Sequence, residues 1–371
     1  MKQGRSLAEL AAELERQNEN RKDFVAKQGA ISLRVQRDPQ TEAPVTTTLH
    51  GLNGMTAPLN SHAHGQFSAH LGIPKAYYDR MLEQTPDLLC DNVNTWLMRE
   101  PDKRRMVRTL DRRVRAFLSD RYRPLDNYDL LSTALPSLQE IEAKVVSSEV
   151  TEQRLYVKAI MPKLCEEIPE GLELGKGHTF AKKDMLIAAI IISNSEIGAG
   201  TLRIEAGMYK TRCTNLAIFA DAGMKKYHIG RSAVAELDSA VEVFTDETRQ
   251  QDDKAFWMKV RDVVSATCNP EMFKAQIEKV RAATEDRILN DDLPAVMEVT
   301  AKKFGLSEKV RNSTLKNLIQ GQDFTRWGLL NAITRTSQDV EDYDEATNLE
   351  HLGGKVLELP RSDWKVISEA A

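Results

Sequence analysis

Arginines at strand spacing, with an aromatic ring among them, can hold a nucleic-acid backbone, and the chain carries such a pattern at Met106–Asn127, MVRTLDRRVRAFLSDRYRPLDN. Guanidinium groups pair with phosphate oxygens, and rings stack on unpaired bases. From Pro101 to Arg123 there are nine Lys/Arg against three Asp, a local excess of six positive charges in a chain of net charge −4. A local patch implies an anionic partner at one place. Read with a period of two, Val114, Ala116 and Leu118 take one face of a strand, and Arg113, Arg115, Phe117 and Ser119 take the other. The expected nucleic-acid contacts here are Arg112, Arg113, Arg115, Phe117, Arg121, Tyr122 and Arg123. The competing reading is a solvated face with ion pairs to Asp111, Asp120 and Asp126.

A second group follows in Ser193-Asn194-Ser195-Glu196-Ile197-Gly198-Ala199-Gly200, whose small residues predict a turn that can approach a phosphate or another chain closely. Arg203, Lys210, Arg212, Lys225, Lys226, His228 and Arg231 are expected to extend the basic surface. No catalytic constellation is complete. Ser195 beside Glu196 lacks a GxSxG elbow, and Gly175-Lys176-Gly177 lacks the spacing and Ser/Thr of a phosphate-cradling loop, so no nucleotide cofactor is expected. His62, His64 and His70 have no carboxylate or cysteine at ligand spacing, so no metal is expected either. Cys90, Cys165, Cys213 and Cys268 form no CxxC pair and read as buried, reduced thiols of a cytoplasmic protein. The longest apolar run, Met185–Ile192, is far short of the roughly 18 residues a bilayer requires, so no membrane partner is expected.

The elements that must position these residues predict an α+β protein, with a β-rich N-terminal core domain and flanking helices followed by a mostly α-helical C-terminal domain. Ser6 and Glu9 form a capping box before Leu7, Leu10, Ala11 and Leu14, which predicts an amphipathic helix over 6–26. That N-terminal helix (1–27) reads as a docking or oligomerisation arm. Strands are expected at Ala30–Val35, Arg105–Leu110, Val114–Ser119, Arg154–Met161, Met185–Ser193, Thr201–Ala206 and Met208–Thr214. His50–His70 reads as loop, and helices are expected at 74–84 and 128–142. The core (28–237) gives way to a helical domain (238–336) with helices at 240–267, 270–288, 293–304, 307–319 and 323–337. From Ser337 onward nine Asp/Glu oppose three Lys/Arg, which predicts an acidic C-terminal segment (337–371) able to meet a host or phage protein.

The strings Arg115–Asn127 (RAFLSDRYRPLDN), Ser193–Arg203 (SNSEIGAGTLR), Arg212–Asn215, His228–Arg231 and Thr325–Thr334 (TRWGLLNAIT) resemble the phage/plasmid-like protein family. This is a domain of unknown function common in prophages and conjugative plasmids. The resemblance covers roughly residues 90 to 355, and the chain departs from the pattern at Thr214-Asn215-Leu216, where a glycine is expected after the asparagine. It implies a mobile-element context and, by analogy at fold level, a likeness to single-strand annealing proteins of the Red-beta, RecT and Erf kind. The leading expectation is a non-enzymatic, ATP-independent single-stranded DNA-binding and annealing protein that assembles into a ring or filament through residues 104–235. Two alternatives stay open. One is a mobile-element interaction protein that inhibits a host defence or repair factor; the other is a metal-dependent nuclease using Asp111, Asp120, Asp126 or Glu196.

Overall fold

A computed structural model describes residues 1–122, 124–170, 182–219, 246–267 and 269–370. Contacts divide the chain into a small unit, residues 11–128 with 195–200, and a large unit, residues 1–10, 129–194 and 201–371. This differs from the boundaries expected from composition. The architecture is α+β, with a sheet-rich N-terminal part and a helical C-terminal part.

Helix α1 (Leu7–Asn20) opens on the predicted capping box: Glu9 N donates to Ser6 Oγ at 3.3 Å and Ser6 N donates to Glu9 Oε2 at 2.8 Å. The helix stops earlier than its pattern suggests. Lys22–Lys27 is a strand, β1, because Phe24 and Val25 are strand formers and the segment pairs along β5. Strands β2 (Ser32–Arg37), β3 (Pro44–Leu52) and β4 (Met55–Pro58) form one sheet in that order. They are followed by α2 (Ser61–Leu71), α3 (Lys75–Gln84) and α4 (Pro86–Leu97). The loop expected over 50–70 is therefore structured. Its Asn53-Gly54 pair, both at positive φ, turns β3 into β4, and the Asn60 side chain caps α2 by accepting from Ala63 N. Strands β5 (Arg104–Leu110) and β6 (Arg113–Ser119) complete a second sheet in the order β1-β5-β6. Leu33, Leu49, Phe67, Tyr78, Val93, Val107 and Phe117 share the buried core of this unit.

Helix α5 (Asn127–Glu140) leads into β7 (Lys144–Val150), β8 (Leu155–Glu170), β9 (Lys182–Asn194), β10 (Arg203–Lys210) and β11 (Asn215–Phe219). These make one antiparallel sheet, β11-β10-β9-β8-β7. The two strands expected over 201–214 are one, since Gly207 stays in register between Ala189 and Ile218. Helices α6 (Asp246–Thr267), α7 (Pro270–Glu285), α8 (Leu293–Phe304), α9 (Glu308–Gly321) and α10 (Arg326–Thr336) follow the predicted order closely. The sheet alternates with period two. Leu186, Ala188, Met208, Ala217 and Phe219 join a core with Ile277, Val296, Leu330 and Val356 of the helices, while Ala189, Ile191, Leu216 and Ile218 pack with Met1.

Among the described residues, sheet and helices thus belong to one hydrophobic core, and the limit expected at 237 lies outside the described residues. The acidic segment is part of that core: it forms α11 (Tyr343–Leu357) and α12 (Arg361–Ser368), with Leu349, Leu352, Val356, Trp364 and Ile367 buried. Counting its charge obscured an apolar stripe at helical spacing. Among the described residues no helix is long and apolar enough to cross a membrane.

Candidate nucleic-acid interface

The arginine segment folds as the β5–β6 hairpin. Leu110 pairs with Arg113, so Asp111 and Arg112 form a two-residue loop, both left-handed with φ of 49° and 61°. Further along, Arg108 pairs with Ala116 but Thr109 pairs with Val114, which leaves Arg115 as the extra residue of a β-bulge. The bulge ends the alternation on which a shared Arg113, Arg115 and Phe117 face depends. Arg115 is only 8% exposed, its Nη2 2.6 Å from Glu196 Oε2 in an ion pair. Phe117 is 3% exposed and stacks on Phe67 with 3.9 Å between ring centroids. Both are therefore corrected from ligand contacts to internal residues.

Arg108, with no exposed surface, anchors the interior. Its Nε donates to Asp23 Oδ1 at 2.9 Å, Nη2 to Asp126 Oδ1 at 2.7 Å and Nη1 to the Glu196 carbonyl at 2.7 Å. Burial alone would raise the Asp126 carboxyl, but Arg108 and Arg21 outweigh it and hold that group below the usual carboxylate range. Around the turn at 195–200, Glu196 Oε1 accepts from Asn127 N at 2.6 Å, while Gln66 Nε2 and His62 Nε2 reach the Ile197 carbonyl at 2.8 and 3.0 Å. Tyr122 is half-buried, its hydroxyl donating to the Ser195 carbonyl, and burial pushes its phenol up. Gly198, at φ 76°, fits where a Cβ would stand 2.8 Å from Leu118 Cδ2. The small-residue turn expected from sequence does approach other groups closely, but those groups belong to the protein.

Four arginines of the hairpin segment remain outside. Arg104, Arg112, Arg113 and Arg121 are exposed, and none is ion-paired to a carboxylate among the described residues. Asp111 cannot neutralise its neighbours while Arg16 Nη1 holds it at 2.7 Å. Of the other expected contacts, Arg203, Lys210 and Arg212 lie in the large unit. Lys210 is buried with its ammonium 5.8 Å from the Trp327 ring centre, Arg203 is half-buried and Arg212 is exposed. Lys210 is thereby corrected to an internal residue. Arg123, Lys225, Lys226, His228 and Arg231 lie outside the described residues.

Of the four carboxylates considered for a nuclease, three are ion-paired, Asp111 with Arg16, Asp126 with Arg108 and Arg21, and Glu196 with Arg115, while Asp120 is exposed beside Ser119 Oγ at 3.5 Å. Among the described residues, no three His, Cys, Asp or Glu side chains gather as metal ligands, and of the thiols expected to be buried Cys90 is, whereas Cys165 and Cys213 are exposed and Cys268 lies outside the described residues. His64 bonds Thr47 and Tyr78, and His70 bonds Arg105 and Gln28. In the large unit, Lys158 Nζ meets Glu350 Oε2 at 2.6 Å with both side chains sealed from solvent, an arrangement that holds a helix to a sheet. Sequence reasoning passed over Trp96. Leu89, Cys90, Val93 and Leu97 form the inward face of α4, whereas Trp96 is 45% exposed.

No protein-family model, curated protein or solved structure matches this chain.

Proposed function

We propose that the protein binds single-stranded DNA through the β5–β6 hairpin of its small unit and promotes annealing in the cytoplasm without ATP, as an oligomer in a phage or plasmid setting. The observation that carries this reading is the set of exposed cations Arg104, Arg112, Arg113 and Arg121 around one hairpin, none ion-paired to a carboxylate among the described residues. Arg108 and Arg115 are buried and neutralised by carboxylates, whereas these four keep their charge at the surface, where it is open to a phosphate. The resemblance to the phage/plasmid-like family supports the setting. With Arg115 and Phe117 internal, the hairpin contacts phosphates alone. A few exposed ionic contacts give weak affinity, and assembly multiplies them by making later contacts effectively intramolecular.

Fluorescence anisotropy with a labelled single-stranded oligonucleotide, read across a salt series, tests the proposal. The wild type binds at low salt, and the Arg112→Ala/Arg113→Ala protein loses affinity and flattens the plot of log K against log salt by about 1.4, or about 0.7 per phosphate contact. Absence of binding by the wild type at low salt overturns the reading.

A further inference from the structure

We infer that Trp96 and Arg99, at the C-terminal end of α4, form a nucleobase-stacking site for the same DNA strand. The inference rests on the DNA-binding reading and supplies the aromatic contact that Phe117 cannot make. Tryptophan is the largest apolar side chain and is usually mostly covered, yet Trp96 is 45% exposed. The Arg99 guanidinium lies 5.4 Å from the ring centre. A ring with a cation beside it is the arrangement that single-strand binding proteins present to a base and its phosphate.

Local charge favours a polyanion over an apolar peptide as the occupant. The segment after α4 contains two acids, and both are held by lysines: Glu100 by Lys103 at 2.6 Å and Asp102 by Lys27 at 2.9 Å. Arg99 and Arg104 are left exposed and without a carboxylate partner among the described residues. The backbone fixes this segment, since Gln28 N donates to the Lys103 carbonyl and Gly29 N to the Pro101 carbonyl, both at 2.9 Å. Arg104 then opens β5 as its one exposed residue. A strand of DNA at this end would place a base on Trp96, exchange the Arg99 ring contact for a phosphate, and reach Arg104.

The test is a titration of unlabelled oligodeoxythymidylate, and of the same length of abasic oligomer, into the wild type, Trp96→Ala and Trp96→Phe proteins. Binding is followed by intrinsic tryptophan emission and by competition against a labelled strand. Trp327 and Trp364 are buried and Trp257 is half-buried, so the quench that disappears in Trp96→Ala is the share that reports on Trp96. The wild type should be quenched by thymidylate; Trp96→Ala should lose the quench and bind about tenfold more weakly with an unchanged salt slope, and Trp96→Phe should recover most of the affinity. The abasic oligomer should bind the wild type and Trp96→Ala alike. A wild type that binds thymidylate while Trp96→Ala binds equally well overturns this inference and leaves the DNA-binding reading intact. A wild type that binds neither oligomer overturns both.

Discussion

Arg108 carries its charge without contact with water, and Asp23, Asp126 and the Glu196 carbonyl surround it. Such a group is tolerated only because every hydrogen-bonding direction is answered, and removing one partner strands the others. Buried His64 and half-buried His70 and His351 take the opposite course and are neutral at neutral pH. Burial, with Lys75 adding to it, lowers His64 to about 4; burial and Arg105 lower His70 to about 4; burial and Arg203 lower His351 to about 3. Arg105 Nη2 donates to His70 Nδ1 at 2.9 Å, so a second ring proton would displace that contact. Because the folded values lie below the unfolded value of about 6.5, the unfolded chain takes up protons first as pH falls. Stability from these groups is complete above pH 6.5 and is lost between about pH 6.5 and 4 for His64 and His70 and down to about 3 for His351, with His64 alone worth about 3 kcal/mol. Urea midpoints measured at pH 7.5, 5.5 and 4.5 should fall in that order, with a shallower fall in a His64→Gln protein. A flat profile down to pH 4.5 would contradict the buried, neutral histidines.

At the scale of elements, the β5–β6 hairpin separates binding from stability. Arg112 is held in the left-handed region, where a side chain costs about 1–2 kcal/mol and glycine little. Arg112→Gly should therefore leave thermal stability unchanged or raise it by up to about 1 kcal/mol, while reducing the salt slope of DNA binding by about 0.7. A melting curve and one salt titration on the same preparation check both halves. The hairpin also marks where the sequence stops being legible. Its strands are evident from Val107, Val114 and Phe117, but the bulge at Arg115 shifts the side-chain alternation and no local residue pattern announces it. The helices α7 to α10 are readable because each has an apolar stripe and a capping side chain, as Asn269, Asp292, Ser307 and Thr325 show. Residues 50–70 are misread because Asn53, Gly54 and Asn60 are at once loop formers and the turn and cap residues of regular elements. Trp96 escapes notice for a related reason, since periodicity identifies the face that is buried and says nothing of what the opposite face offers.

For the whole molecule, the β7–β11 sheet and the helices beyond it stabilise each other. Leu186, Ala188, Met208 and Phe219 are covered in one cluster with Ile277, Leu330, Ile333 and Val356. A fragment ending at residue 237 keeps the small unit but would expose that face of the sheet, and should bind a hydrophobic dye and be cut by protease within residues 129–194, in contrast to the full chain. A 1–237 fragment that binds no dye and resists protease over 129–194 would contradict the shared core. The small unit has its own dependence on distant sequence, because residues 195–200 contribute the Glu196 and Ile197 contacts to a body otherwise made of residues 11–128. During synthesis, then, the ribosome delivers Arg108 and Arg115 well before their partner at 196. At roughly 5–20 residues per second the nascent small unit waits several seconds with two cations lacking a full complement of acceptors. Its last fastening is therefore set by translation, so a pause between codons 128 and 195 would lengthen the interval in which an incomplete small unit is open to chaperones and proteases.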